Sequence, residues 1–256
     1  MSSPLVSCIM PTAGRPHFVP LAVHFFLRQS YPHRELIVVD DGAPRIDHLI
    51  PKLPSIRYCR LERRRSLGDK RNLACELASG DVIAHWDDDD WIAPSRLSIQ
   101  LEALESSGAA ATGLSVIRYF DPQRRSAWLW RSDTTAWLAG GSLCYRKALW
   151  SAHPFRPLDA GEDLTFTHDV GFERFVDLGD ADFYAAVIHG RNTSARPTSR
   201  REWTLLEYSE ICRLVGNDLD LYAAIAALDA ERGFQAANQA GADAGALSGT
   251  RSAEVS

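Results

Sequence analysis

LGDKRNLACELASGDVIAHWDDDDWIAP, residues 67–94, decides the reading of the whole chain. Leu67 to Ser79 has helical spacing, and Gly80 stands where a C-terminal stop is expected. Asp81 to Trp86 is a short apolar run that reads as a buried strand. It leads straight into Asp87-Asp88-Asp89-Asp90. A further helix, Pro94 to Ser106, follows with proline near its first turn. A helix, a strand and a second helix in this order form a piece of an α/β sheet.

The flanking sequence extends the pattern. Leu5 to Met10 is strand-like and ends at Pro11. Pro16 to Ser30 places Phe18, Leu21, Ala22, Phe25 and Phe26 at helical spacing. Glu35 to Val39 is a second strand, closed by Asp40-Asp41-Gly42, and Ile56 to Leu61 is a third. Alternating strands and helices predict an α/β fold with a Rossmann-like, mostly parallel central sheet flanked by helices. Ligands of such sheets bind beyond the carboxyl ends of the strands. Thr12, Asp41 and Asp87 should therefore converge at one sheet edge.

Beyond residue 108 the pattern loosens. Ala109 to Tyr119 and Ala127 to Arg131 read as a strand pair, and Gly140 to Tyr145 as a strand before a helix near Lys147. Gly161 to Val170 reads as a short helix opening with Glu162-Asp163. Asp182 to Ile188 is strand-like and ends at His189. Two C-terminal helices are expected, Glu202 to Val215 and Leu219 to Glu231. The resulting division is one domain over 1–200, a helical extension over 201–234, and an Ala/Gly/Ser-rich tail over 235–256 expected to be disordered.

The chain has 256 residues, 45% of them hydrophobic, and a formal charge of −5. That size supports a full core, and the charge gives no general affinity for nucleic acid or anionic membranes. The five cysteines include no CxxC pair, so neither a disulfide framework nor a zinc site is expected. Met1 to Pro4 lacks a basic-then-apolar leader, and no apolar run nears the ~20 residues of a membrane span. The expectation is a cytoplasmic protein, with peripheral contact at the inner membrane face and homodimerisation left open.

Four adjacent aspartates repel one another unless something screens them. A hard divalent cation, Mg²⁺ or Mn²⁺, takes carboxylate oxygens and completes its shell with water and phosphate. The competing reading is a solvated acidic turn at a helix start. Trp86 and Trp91 bracket the run as aromatic walls, which favours a site. For Glu162-Asp163 the competing reading is a helix-start pair, and for Asp41 a common Asp-Gly turn.

The motifs VSCIMPTAGR (6–15), ELIVVDDG (35–42), LGDKRNLACELASGDVIAHWDDDDWIAP (67–94), GGSLCYRKALW (140–150) and GEDLTF (161–166) stand in one order. Together they resemble the inverting family-2 glycosyltransferases of GT-A fold, over about residues 4–195. The resemblance implies a divalent metal, Mn²⁺ or Mg²⁺, and a nucleotide-sugar donor, with UDP favoured as the commonest in the family. By the same resemblance Asp89 matches the direct metal ligand, while Asp87 and Asp88 contact metal or ribose. Asp163 matches the catalytic base, and Glu162 holds the acceptor or the loop. Asp41 reads base or ribose, and Pro11 and Thr12 form the turn against the base; Arg15 stands at a position variable in the family, where phosphate contact is the expectation. Ala13 stands where an aromatic residue is frequent.

Lys70 and Arg71 read equally as phosphate contacts or as solvated helix charge, and Asn72 equally as a tie to a loop. His189 reads equally as a metal or diphosphate neighbour or as a structural histidine. Trp128, Trp130 and Trp137 suit either a sugar platform or the core. The acceptor is unspecified: a glycan, a lipid-linked glycan, a protein or a small molecule. Two rival functions remain at this level. A sugar nucleotidyltransferase would want a more glycine-rich first loop than PTAGRP, and an inactive GT-A-like nucleotide- or partner-binding domain would not need Asp89 and Asp163. Released product separates the three: nucleoside diphosphate, pyrophosphate or nothing.

Overall fold

The computed structural model describes residues 3–132 and 137–228. Its first sheet contains seven strands: β1 (Val6–Thr12), β2 (Arg34–Asp40), β3 (Ile56–Arg60), β4 (Val82–His85), β6 (Ala111–Gly113), β9 (Cys144–Arg146) and β10 (Phe175–Asp177). They lie in the order β10-β6-β9-β4-β1-β2-β3. All neighbours are parallel except β9, which runs antiparallel to both β4 and β6. The expected mostly parallel sheet is present.

Both faces of this sheet are covered, which is why its strands read as unbroken apolar runs. Val6, Cys8 and Met10 of β1 belong to one core, while Ile9 belongs to the other. On the first face pack helices α1 (Val19–Leu27) and α3 (Arg96–Ser107), through Phe25, Phe26, Leu97 and Leu104. On the second pack α2 (Leu67–Leu77), α4 (Lys147–Ala152) and α5 (Glu162–Val170), through Ala74, Cys75, Leu149 and Phe166.

The second sheet has the order β12-β8-β7-β11-β5. Its strands are β5 (Trp91–Ile92), β7 (Val116–Asp121), β8 (Ser126–Arg131), β11 (Tyr184–Val187) and β12 (Trp203–Leu206). The expected β7–β8 pair is antiparallel in register from Val116–Arg131 to Asp121–Ser126.

Several boundaries differ from the sequence reading. β1 runs through Pro11 to Thr12, because its pairing with β4 has already ended at Ile9–His85. Gly80 is not a helix stop: α2 ends at Leu77, and a Cβ on Gly80 would lie 2.3 Å from the Leu5 carbonyl oxygen. The glycine is required by close backbone approach. Gly140 to Ser142 is a 3-10 turn rather than strand. The helix expected over 202–215 begins instead as edge strand β12, paired antiparallel to β8, and only Tyr208–Val215 (α6) is helical. Residues 218–228 form the last described helix. Ile211, Val215, Tyr222 and Ile225 enter the same core as α1 and α3, so residues 201–228 pack onto the domain. The tail expected to be disordered, 235–256, lies outside the described residues. No helix among the described residues is long and apolar enough to cross a membrane.

Candidate active site

The aspartate run lies between β4 and β5 and is folded inward. Asp88, Asp89 and Asp90 are 1%, 7% and 7% exposed. A solvated turn is therefore excluded, and β5 separates the run from α3, so it caps no helix. Trp86 and Trp91 are core residues, their indoles donating to the Ala22 carbonyl and to Asp218. They do not wall the site.

Each aspartate has its own partners. Asp88 accepts from Thr12 Oγ1 at 2.5 Å and pairs with Arg15 Nη2 at 2.8 Å. Asp89 Oδ2 accepts from Arg15 Nη1 at 2.6 Å and from His189 Nε2 at 2.9 Å. The Arg191 backbone N–H donates to His189 Nδ1 at 3.1 Å, so neutral His189 carries its proton on Nε2, toward Asp89. Asp90 accepts from the Tyr184 hydroxyl and from the Val187 N–H. Asp87, whose side chain is 25% exposed, accepts from Arg71 Nη2 at 3.2 Å.

Burial raises the Asp88 pKa to about 6 despite Arg15. Burial alone would raise Asp89 too, but Arg15 and the His189 hydrogen bond bring it down to about 2. Burial also holds Asp90 well above the usual carboxylate range, and the neighbouring aspartates add to that. The cluster is thus divided: its partners hold Asp89 low, as an oxygen donor, while burial pushes Asp90 up beside Tyr184.

Arg71 links this cluster to α5. Its Nε donates to Glu162 Oε1 at 3.0 Å while its Nη2 holds Asp87, and the side chain is 3% exposed. Glu162 and Asp163 are the first residues of α5, so the helix-start reading describes their position as well. Asp163 Oδ1 accepts from the Leu164 N–H. Burial raises the pKa of both acids, against the pull of Arg71.

Between the two acid groups lies the Gly140–Ser142 turn. A Cβ on Gly140 would lie 1.7 Å from Asp163 Oδ2, and one on Gly141 would lie 2.6 Å from Asp87 Oδ2. The turn is held from behind by buried side chains. His85 Nδ1 donates to the Gly140 carbonyl at 2.7 Å, Arg96 Nη2 to Gly141 at 2.8 Å, and Gln100 Nε2 to Ser142 at 2.7 Å. Since Asp163 Cβ would also lie only 2.7 Å from a Gly140 Cβ, rotating the aspartate cannot relieve the clash. Gly140→Ala is expected to destabilise the fold by about 1–3 kcal/mol, read by denaturant unfolding. Wild-type stability would show that the turn yields.

One cavity is lined by Pro11, Arg15, Arg71, Asp87, Asp89, Glu162 and Asp163 together. Asp88, Thr12 and His189 adjoin it through the contacts above. Lys70 and Asp41 are placed differently: Lys70 Nζ donates to Asp41 Oδ1 at 2.9 Å and to the Thr12 carbonyl at 3.2 Å, and both side chains are buried. Asn72 ties α2 to α4 and the loop after it, bonding Trp150 and Phe155. Of the three tryptophans, Trp137 lines the cavity and packs on Trp130 at 3.9 Å between centroids.

Sequence reasoning gives Asp90 no role apart from the acidic run and does not single out Tyr184, Arg196 or the two glycines. Arg196 lines the cavity with its guanidinium over the Tyr119 ring, and its Nε has no hydrogen-bond partner among the described residues. Adjacent glycines in a strand-like segment were the available signal, because interior strand glycines mark close approach.

Comparison with known proteins agrees with this geometry. The family model described as glycosyl transferase family 2 matches residues 7–177. An uncharacterized glycosyltransferase of Haemophilus influenzae is 33% identical over 106 residues, covering 40% of this chain and 42% of the relative. The putative teichuronic acid biosynthesis glycosyltransferase TuaG of Bacillus subtilis is 35% identical over 121 residues, covering 44% and 48%. The chain thus spans less than half the length of these relatives. Among solved structures, S. aureus TarS 1–349 in complex with UDP-GlcNAc superposes with a TM-score of 0.62 at 18% identity, covering 86% of this chain and 73% of that one. This likeness shows the fold, a mixed α/β architecture of the GT-A type.

Proposed function

The chain belongs to glycosyl transferase family 2, and from that premise we propose that it transfers a sugar from a nucleoside-diphosphate sugar to an acceptor hydroxyl by single displacement with inversion. The observation that carries this reading is the single cavity on which Asp87 and Asp89 meet Glu162 and Asp163, joined by Arg71.

A divalent cation, Mn²⁺ or Mg²⁺, fits the donor side. No group of three or more metal-binding side chains exists among the described residues. Asp89, ionised, and Asp87, partly exposed, both line the cavity. One or two carboxylates are what such a cation takes from protein when diphosphate and water complete its shell. Asp89 and Asp87 would hold it, and its contribution would be to neutralise charge on the departing diphosphate. His189, as its tautomer stands, donates to Asp89, so we assign it to orienting that ligand.

Asp163 acts as the base. It takes the acceptor hydroxyl proton as the acceptor oxygen bonds to the anomeric carbon and the bond to the diphosphate oxygen breaks. Its raised pKa brings it nearer the operating pH, where a general base works best. Glu162 keeps Arg71 in place, and Arg71 balances both acid groups. Arg15 and Arg196 supply positive groups on the cavity wall for phosphate. Pro11, Thr12, Asp41 and Lys70 shape the turn on which the nucleoside rests, and Asp88 anchors that turn through Thr12.

UDP is the first nucleotide to test, given the UDP-GlcNAc bound by TarS. Thermal shifts with UDP, GDP, CDP, ADP and dTDP, each with Mn²⁺ or chelator, are the direct experiment. At a hundred times its dissociation constant one of them should stabilise the protein by about 2.7 kcal/mol, and only with metal. No stabilisation by any, or the same shift with chelator, would overturn the metal-assisted donor site.

A further inference from the structure

Arg15 occupies an unusual place in the acidic cluster. Its guanidinium forks across two adjacent carboxylates, Nη2 to Asp88 at 2.8 Å and Nη1 to Asp89 at 2.6 Å. The Asp89 oxygen it holds, Oδ2, also accepts from His189. Arg15 is therefore already the cation on Asp89, one of the two carboxylates that the donor site would offer to a metal ion. Its backbone is fixed from below. Gly14 adopts φ +65°, and a Cβ on Gly42 would lie 2.1 Å from the Gly14 nitrogen, so the loop is pressed onto the Gly42 turn. The side chain is not so confined: it is 15% exposed and faces the cavity.

We propose that Arg15 is a resident counter-ion of the cluster, which a divalent cation must displace before it can bind Asp89 fully. The proposal rests on the metal-assisted reading of the donor site. The other arginine at the cluster, Arg71, is already shared between Asp87 and Glu162. A cation entering beside an undisplaced Arg15 therefore meets a site whose ionised carboxylate is already neutralised, and it is repelled by the guanidinium. A diphosphate reverses this balance, because its oxygens accept a guanidinium in the same forked manner. Arg15 can then turn from Asp88 and Asp89 to the diphosphate, exposing Asp89 to the metal. Metal and nucleotide thus bind together, and until they do Arg15 offsets the repulsion among the aspartates.

The test measures Mn²⁺ binding to the full chain, by the electron paramagnetic resonance signal of free Mn²⁺, for wild type, Arg15→Gln and Arg15→Lys. In wild type, Mn²⁺ alone should bind weakly and UDP should strengthen it. Arg15→Gln should bind Mn²⁺ alone about tenfold more tightly than wild type or better. Arg15→Lys, which keeps the charge but cannot fork, should lie between. Equal Mn²⁺ affinity in wild type and Arg15→Gln would overturn the counter-ion role, while UDP-strengthened binding in wild type would leave the donor-site reading standing. No Mn²⁺ binding by any of the proteins, with or without UDP, would overturn both. If Arg15→Gln unfolds in chelator and refolds on adding Mn²⁺, the metal has replaced the missing cation and the proposal is supported. If it unfolds in both, Arg15→Lys decides by the same comparison with wild type.

Discussion

Asp163→Asn is expected to lower transfer, read as nucleoside diphosphate released in the presence of acceptor, by about 10²–10⁴-fold, the usual worth of a general base. Nucleotide affinity in the thermal-shift panel should not change. The separation follows from the contacts: Asp163 is bonded to the Leu164 N–H and walled by Gly140, and it feels Arg71 and Asp87 by charge without a hydrogen bond to either. The amide keeps the shape and cannot take a proton. The pH dependence has a definite sign. Because burial raises the pKa of Asp163, the wild-type rate should fall as pH drops through a value above the ordinary aspartate range. Undiminished transfer by the asparagine variant would remove Asp163 from the reaction.

Arg71→Met is expected to cost about 3–5 kcal/mol of stability, because it leaves the buried Glu162 carboxylate, with Asp87 nearby, without its counter-charge. In a chain of this length that is on the order of 10 °C in unfolding temperature. Methionine fills much of the volume, so lost charge rather than a cavity would be measured. The loss should shrink at low pH, where Glu162, its pKa raised by burial, takes up a proton and no longer needs a partner. A drop that stays the same from neutral to acidic pH would mean that Arg71 matters by packing alone.

The first half of the fold was legible because its signals are local. Cys8 to Met10 and Leu36 to Val39 are buried on both faces and read as continuous apolar runs. Ser66 caps α2, its hydroxyl accepting from the Asp69 N–H. The second sheet was less legible because its pairings are distant. Trp203 to Leu206 becomes strand only because β8 offers an edge, and Trp91–Ile92 is strand only through β11. The same divide runs through the site. The acids stand out as Asp87–Asp90 and Glu162-Asp163, but their partners do not. Arg15 meets Asp89 across 74 positions, and Arg71 meets Glu162 across 91. Nothing in a run of four aspartates says whose pKa is lowered, whose is raised and which side chain faces the cavity. Burial and partner decide that, and both are tertiary.

The wall between Asp87 and Asp163 is a single thickness of main chain, without side chains of its own to adjust. His85, Arg96 and Gln100 pin consecutive carbonyls of that wall from the interior. The width of the cavity is thus set by side chains of β4 and α3 that do not line it. A substitution among those side chains would be felt first as a chamber of the wrong width, with every acid still present and correctly charged.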